Sequence, residues 1–165
     1  MKPKIAVVLG SGGHTRQMLE LIDKLGHRYD YNYIIANTDK ASASRIRIPG
    51  KVFYIYDTRL KTDANLLKII LKYVPSTLQA INVLWKIKPV LVIGCGPAVC
   101  EHVVVLAKYM FGAKAVFFES LTRVKSRSIS GKQLAPFFTD DDLFLVQWKP
   151  LLKQYANARF VGRLS

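Results

Sequence analysis

A glycine turn carrying a histidine stands near the start of the chain, in KIAVVLGSGGHTRQMLELI at residues 4–22. Gly10, Gly12 and Gly13 leave backbone N–H groups bare for a ligand, and the helical pattern that follows brings the positive end of its dipole to the same place. A phosphate group suits that environment. His14 falls in or just before the first helical turn, where the dipole favours a neutral imidazole able to take a proton or bind a sugar hydroxyl. The competing role is a histidine that caps or packs the turn. Other glycine motifs fit less well. A P-loop needs Lys followed by Ser or Thr after its second glycine. A dinucleotide fingerprint wants a small residue where Thr15 stands, and its acidic partner is only loosely offered by Asp39. A hydrolase elbow needs its serine between spaced glycines, whereas Ser11 precedes the Gly-Gly-His run.

A second group with chemical potential is ESLTRVKSRSISGK, residues 119–132. Glu119 ends an apolar run beside Ser120 and is the other candidate general base, its alternatives being a helix cap or an ion pair with Arg123. Arg123, Lys125, Arg127 and Lys132 form a basic run suited to a diphosphate or to lipid phosphates, although such runs are more often solvated faces. Gly94 and Gly96, in GCGP, mark a third turn, and QW at 147–148 a fourth.

The elements that must position these residues alternate. Val/Ile/Phe-rich runs at KIAVVL, YNYIIA, KVFYIY, PVLVIG, KAVFFE, DLFLVQ and ARFVG read as strands, with helical patterns between most of them, which predicts a Rossmann-like parallel α/β sheet with helices on both faces. The first helix presents Met18, Leu21, Ile22 and Leu25 as one apolar stripe and ends at Gly26. Pro75 is expected to break NLLKIILKYVPSTLQAINVLWKIKP into two helical pieces, and Pro89 to stop the second. All four chemical segments follow predicted strands, and in such sheets ligands sit beyond the carboxyl ends where strand order reverses.

At 165 residues, half of them apolar, the chain reads as a single domain spanning 1–165. The balance of 25 Lys and Arg against 11 Asp and Glu, a formal charge of +14, points to anionic partners: phosphorylated ligands, nucleic acid or an acidic membrane face. Cys95 and Cys100 lack a matching His/Cys cluster, so no metal is expected and the thiols read as small buried residues in a reducing compartment. No run reaches the ~20 uncharged apolar residues of a spanning helix, and the N-terminus is too short in apolar residues for a signal peptide. The expectation is a protein of the cytoplasm or the cytoplasmic face of a membrane. The apolar segment 65–88, with Lys68 and Lys72 one helical turn apart, is a candidate membrane contact; the alternative is a crossover helix buried on the sheet.

Together, GSGGHTRQML, GCGP, ESLTRVKSRSISGKQL and FLVQWKPLLKQYANARFVGRL resemble the asparagine-linked glycosylation subunit fourteen family, which includes bacterial capsular and exopolysaccharide relatives. The resemblance runs almost from end to end. It implies the N-terminal half of a GT-B glycosyltransferase: an acceptor-binding, peripheral-membrane subunit in a heteromeric complex, with a separate small chain binding the nucleotide sugar. The implied reaction transfers a sugar, N-acetylglucosamine in the eukaryotic case, from a UDP-sugar to a polyprenyl-diphosphate-linked sugar in lipid-linked oligosaccharide or polysaccharide biosynthesis, without a cofactor. Glu119 or His14 would then be the base, and Gly10, Ser11, Gly12, Gly13, Thr15, Gly94, Gly96, Ser120, Arg123 and Lys132 the acceptor contacts. Eukaryotic members usually begin with a membrane-spanning helix and read Asn-Gly-Pro-Gly in place of GCGP; this chain has neither, which suggests a prokaryotic type of member. Two other classes compete: a basic nucleic-acid-binding module, for which no RNA-binding or recognition-helix signature accompanies the charge, and a nicotinamide-dependent enzyme.

Overall fold

In the computed structural model, which describes residues 2–10, 12–58, 66–96 and 99–164 (for 66–70 the backbone alone), the seven apolar runs are strands of one parallel sheet. They are β1 (Lys4–Leu9), β2 (Asp30–Ala36), β3 (Lys51–Ile55), β4 (Leu91–Cys95), β5 (Lys114–Phe118), β6 (Leu143–Val146) and β7 (Ala158–Phe160). Their order across the sheet is β3-β2-β1-β4-β5-β6-β7. The helices α1 (Gly13–Leu25), α2 (Lys40–Ala43), α3 (Leu66–Ile87), α4 (Val99–Phe111) and α5 (Ile129–Leu134) lie in the connections. The Rossmann-like arrangement expected from the alternating pattern is the one the chain adopts.

Period-two alternation sends each strand's side chains into two cores. Ile5, Val7 and Leu9 pack with Met18, Leu19 and Ile22 of α1, while Ala6 and Val8 pack with Ala80, Val83 and Leu84 of α3 and with Val103 of α4. In β5 the same rule splits Val116 and Phe118 from Ala115 and Phe117. From β1 the order runs outward through β2 to β3, then returns to β4 on the other flank of β1. Right-handed crossovers on the two sides of that reversal place α1 and the α3–α4 pair on opposite faces. The reversal also sets Leu9 beside Cys95, so the turns leaving β1 and β4 emerge together.

Helix α1 ends as its pattern predicts: Gly26, at φ 65°, donates its N–H to the Ile22 carbonyl. Helix α3 differs from expectation, because Pro75 lies inside one continuous helix rather than between two. Proline removes one N–H and crowds the carbonyl a turn earlier. Here Leu71 and Pro75 are on the exposed side, where water can satisfy that carbonyl, while Ser76, Ala80, Val83 and Leu84 anchor the opposite side. The Ser76 hydroxyl also donates to the Tyr56 carbonyl at 2.7 Å. Pro89 acts as expected: α3 stops at Ile87, and Lys88 turns the chain at φ 51°.

At the start of β6, Asp142 is buried against Lys108 of α4 in an ion pair. Burial alone would raise its pKa, but hydrogen bonds from Lys108, from the Thr139 and Ala115 amides and from the Thr139 hydroxyl outweigh that and hold the carboxyl below its ordinary value.

Candidate active site

A cleft of about 150 Å³ opens at the carboxyl ends of β1, β4 and β5, lined by His14, Gly96, Glu119, Ser120, Thr122, Arg123, Ser128, Ile129 and Ser130. It lies beside the reversal of strand order, where an open sheet offers its crevice. The sequence singled out His14, Gly96, Glu119, Ser120 and Arg123, and the fold brings these five to one place. Thr122, Ser128, Ile129 and Ser130 were not anticipated as lining residues.

The His14 side is built by removing side chains. A Cβ on Gly96 would stand 2.6 Å from the His14 Cγ, and one on Gly10 would stand 2.7 Å from the Cys95 carbonyl and 3.1 Å from the His14 Cβ. Gly96 also adopts φ 97°, a conformation that side chains disfavour. These two glycines therefore seat the imidazole rather than only admitting a ligand. The His14 Nδ1 is 3.7 Å from the Cys95 sulfur. Burial pushes the Cys95 thiol well above its ordinary pKa and the Cys100 thiol up to about 12, so both stay protonated and structural. Gly12 caps α1 at φ 66° with no side chain on its amides, and both it and Gly13 face open space.

The opposite side is built from buried polar groups. Glu119 follows β5 directly and is 1% exposed. Its Oε1 accepts from the Ser120 amide at 3.1 Å, and its Oε2 from the Ser128 amide at 3.2 Å and from the Tyr155 hydroxyl. This is neither the helix cap nor the Arg123 ion pair weighed from the sequence. Burial, reinforced by the Glu119 carboxylate, raises the Tyr155 pKa, keeping the phenol a donor. Beside them, Gln147 donates to the Gln17 Oε1 at 2.6 Å and to the Glu119 carbonyl at 3.1 Å, and its own Oε1 accepts from the Leu164 amide at 2.8 Å. The Leu121 amide donates to the same Gln17 oxygen at 2.9 Å, and Trp148 Nε1 to the Leu121 carbonyl at 2.7 Å. The QW pair is thus structural support for the loop. Gln17 and Tyr155 escaped the sequence reading; a glutamine on the buried stripe of α1 was the available signal for the first.

Several expected contacts have other work. Gly94 lies within β4, where a Cβ would press on Val104 at 2.9 Å, so its bareness lets α4 approach the sheet. The Thr15 hydroxyl is buried, bonds to the Gly10 carbonyl and lies 2.9 Å from Ser42 Oγ, closing the turn from within. Lys132 is exposed on α5 and does not line the cleft. Ser11 and the Pro97 of GCGP lie outside the described residues. Asp39, the acidic residue a dinucleotide site would use, caps α2, accepting from the Ser42 amide at 3.2 Å and the Ser42 hydroxyl at 2.5 Å.

On the far face of α3, Leu71, Val74, Leu78 and Trp85 are all more than half exposed and fall on one stripe. Lys72 is exposed beside it; the Lys68 side chain lies outside the described residues. Among the described residues no helix is long and apolar enough to cross a membrane.

The family model described as "Oligosaccharide biosynthesis protein Alg14 like" matches residues 5–164. The chain belongs to the Alg14-like family. Among its relatives, the human UDP-N-acetylglucosamine transferase subunit ALG14 is 33% identical over 180 residues, covering 97% of this chain and 82% of that protein. The subunit of the same name from Schizosaccharomyces pombe is 34% identical over 175 residues, covering 96% and 81%. Among solved structures, the fold of this Alg14-like chain is similar to Acinetobacter baumannii MurG, with TM-score 0.69 and 17% identity over 90% of the chain. It is also similar to the S. aureus MnaA–UDP co-structure, with TM-score 0.67 and 17% identity over 98% of the chain. The chain spans 43% and 44% of those two structures, and the likeness is one of fold.

Proposed function

We propose that this chain is the acceptor-binding, membrane-recruiting subunit of a two-component inverting glycosyltransferase. It acts with a small donor-binding subunit to transfer a sugar, N-acetylglucosamine, from a UDP-sugar to a polyprenyl-diphosphate-linked sugar at the cytoplasmic face of a membrane. The observation that carries the reading is one cleft that joins an imidazole, a carboxylate and an arginine beside the bare N-terminus of α1, in a chain whose relatives are named transferase subunits. The word subunit in those names supports the partner. The nucleic-acid and nicotinamide readings find no comparable support, and Asp39 is already committed to a helix cap.

In the reaction, His14 or Glu119 removes the proton of the acceptor hydroxyl as its oxygen attacks the anomeric carbon of the donor sugar. The bond from that carbon to the diphosphate breaks, the configuration inverts, and the nucleoside diphosphate leaves with the electron pair. The α1 amides and Arg123 hold the acceptor's diphosphate. The apolar stripe of α3, flanked by lysines, lies in the bilayer interface and keeps the cleft beside the lipid substrate.

The test is transfer from radiolabelled UDP-N-acetylglucosamine to a synthetic polyprenyl-diphosphate-N-acetylglucosamine, by this chain with and without a donor-binding subunit. Transfer only by the pair is expected. Turnover by this chain alone overturns the two-component reading, and no transfer by a stable pair to lipid-diphosphate acceptors overturns the assignment as a whole.

A further inference from the structure

The second candidate base is held in an unusual way. Glu119 stands at the root of the loop 120–128, and its two oxygens accept from backbone amides at both ends of that loop, Ser120 and Ser128. A third donor reaches the same carboxylate from a distant part of the chain, the Tyr155 hydroxyl in the turn before β7. Room for this contact is made by Gly131, since a Cβ there would overlap both the Tyr155 oxygen and the Glu119 Oε2. The Tyr155 ring is itself fixed, buried and packed against Phe144 at 4.6 Å between centroids. Two further bonds tie the loop to the same turn: Gln154 Nε2 donates to the Lys125 carbonyl at 2.5 Å, and Arg127 Nη1 to the Gln154 carbonyl at 3.4 Å. A carboxylate offers about four acceptor positions, and three of these are occupied by donors that hold the loop. His14 lines the same cleft from a helix terminus and is partly exposed.

We propose that Glu119 is a positioning residue rather than the base: with Tyr155 it staples the two ends of the loop 120–128, so that Ser120, Thr122 and Arg123 face the cleft as a preformed cradle for the acceptor diphosphate. Proton removal then falls to His14. This assignment rests on the transferase reading for the identity of the acceptor, but the staple itself does not.

Two measurements separate the two claims. The first needs no turnover: amide hydrogen exchange and inorganic pyrophosphate binding by the isolated chain, for the wild type, Glu119→Gln and Tyr155→Phe. Losing a hydrogen bond to a charged group corresponds to roughly ten- to a hundredfold. Both variants are expected to accelerate exchange at Ser120 and Ser128 by about that much and to weaken pyrophosphate binding, while amides of α1 and β4 keep their wild-type protection. The double variant should be no worse than the worse single one, because the two residues act through one contact. Unchanged exchange at Ser128 in Tyr155→Phe overturns the staple. The second measurement is steady-state transfer by the assembled pair. Positioning predicts a rise of about tenfold in KM for the lipid acceptor, with kcat within about threefold of wild type. A fall in kcat of about a hundredfold or more in Glu119→Gln at unchanged KM, with Tyr155→Phe near wild type, makes Glu119 the base and overturns the proposal. Should Glu119→Gln fail to fold, Tyr155→Phe carries both tests alone, since it removes a single oxygen. A chain that shows the exchange effect but never transfers sugar, even when paired, retains the staple and loses the transferase reading.

Discussion

On the side of the cleft formed after β1 and β4, His14 is seated by what is missing, since Gly10 and Gly96 leave the space its ring occupies. On the side formed after β5, the loop is held by what is present, a buried set of carboxylate, phenol and amides drawn from α1, β5, β6 and the turn before β7. The first device brings the turn after β4 against the turn after β1 and works by leaving room for the ring. The second spans Gln17 to Leu164 and works by pairing polar groups that would otherwise be buried alone. Such a seat tolerates changes around it but no side chain at Gly10 or Gly96. A polar network tolerates isosteres but no unpaired member.

The largest effect is expected far from both devices and provides the reference for them. Asp142→Asn leaves the half-buried Lys108 without its charge partner and should lower stability by about 3 kcal/mol, measured by urea unfolding at neutral pH, with the transfer rate per folded molecule unchanged. Because the Asp142 pKa is depressed in the folded protein, its contribution is complete above the unfolded value of about 4 and fades as pH falls through the folded one. The gap between wild type and variant should therefore close in acid. A gap that widened below pH 4 would contradict the ion pair.

Next comes the steric device. Gly96→Ala forces the His14 ring to move and should reduce kcat of the assembled transferase by about a hundredfold, the scale of a displacement near 1 Å. Retention of the wild-type rate would show that the ring position does not matter. The polar device is expected to respond more mildly and in a different observable. Gln147→Leu strips partners from Gln17, Leu164 and the Glu119 carbonyl and should cost about 2 kcal/mol of stability, read by thermal or urea unfolding. If stability is unaltered, the network is decorative and the comparison between the two sides fails.

These two sides also differ in how far the sequence discloses them. All seven strands were legible because β-branched and aromatic residues cluster in short runs, and the glycine turn was legible because glycine and histidine announce their chemistry by type. Pro75 lies within α3 although proline usually ends a helix, because that side of α3 faces solvent, where water can replace the hydrogen bond that proline cannot donate. Glu119 was found by its place after an apolar strand, but its partner Tyr155 is 36 residues away with nothing in the intervening spacing to link them. Gly94 read as a ligand glycine because loop and packing glycines are identical on paper; only the nearness of Val104 tells them apart.

The smallest effect is expected at the α3 surface. Replacing the exposed Lys72 together with Lys68 by Glu should weaken flotation with anionic liposomes while shifting stability by less than about 0.5 kcal/mol. Liposome binding that is unaltered excludes this stripe as the membrane contact, and a large stability loss would mean that the two lysines support the fold instead of facing the bilayer.

The staple at the root of the loop 120–128 separates the segment's framework from its tip. Residues 122–127 are exposed, whereas the groups that hold their two ends are buried and belong to the scaffold. On the proposed acceptor role, the charge of this exposed tip is what a different anionic headgroup would select, while its length is fixed by the ties of Lys125 and Arg127 to Gln154, so libraries that keep that length offer a direct test of acceptor preference.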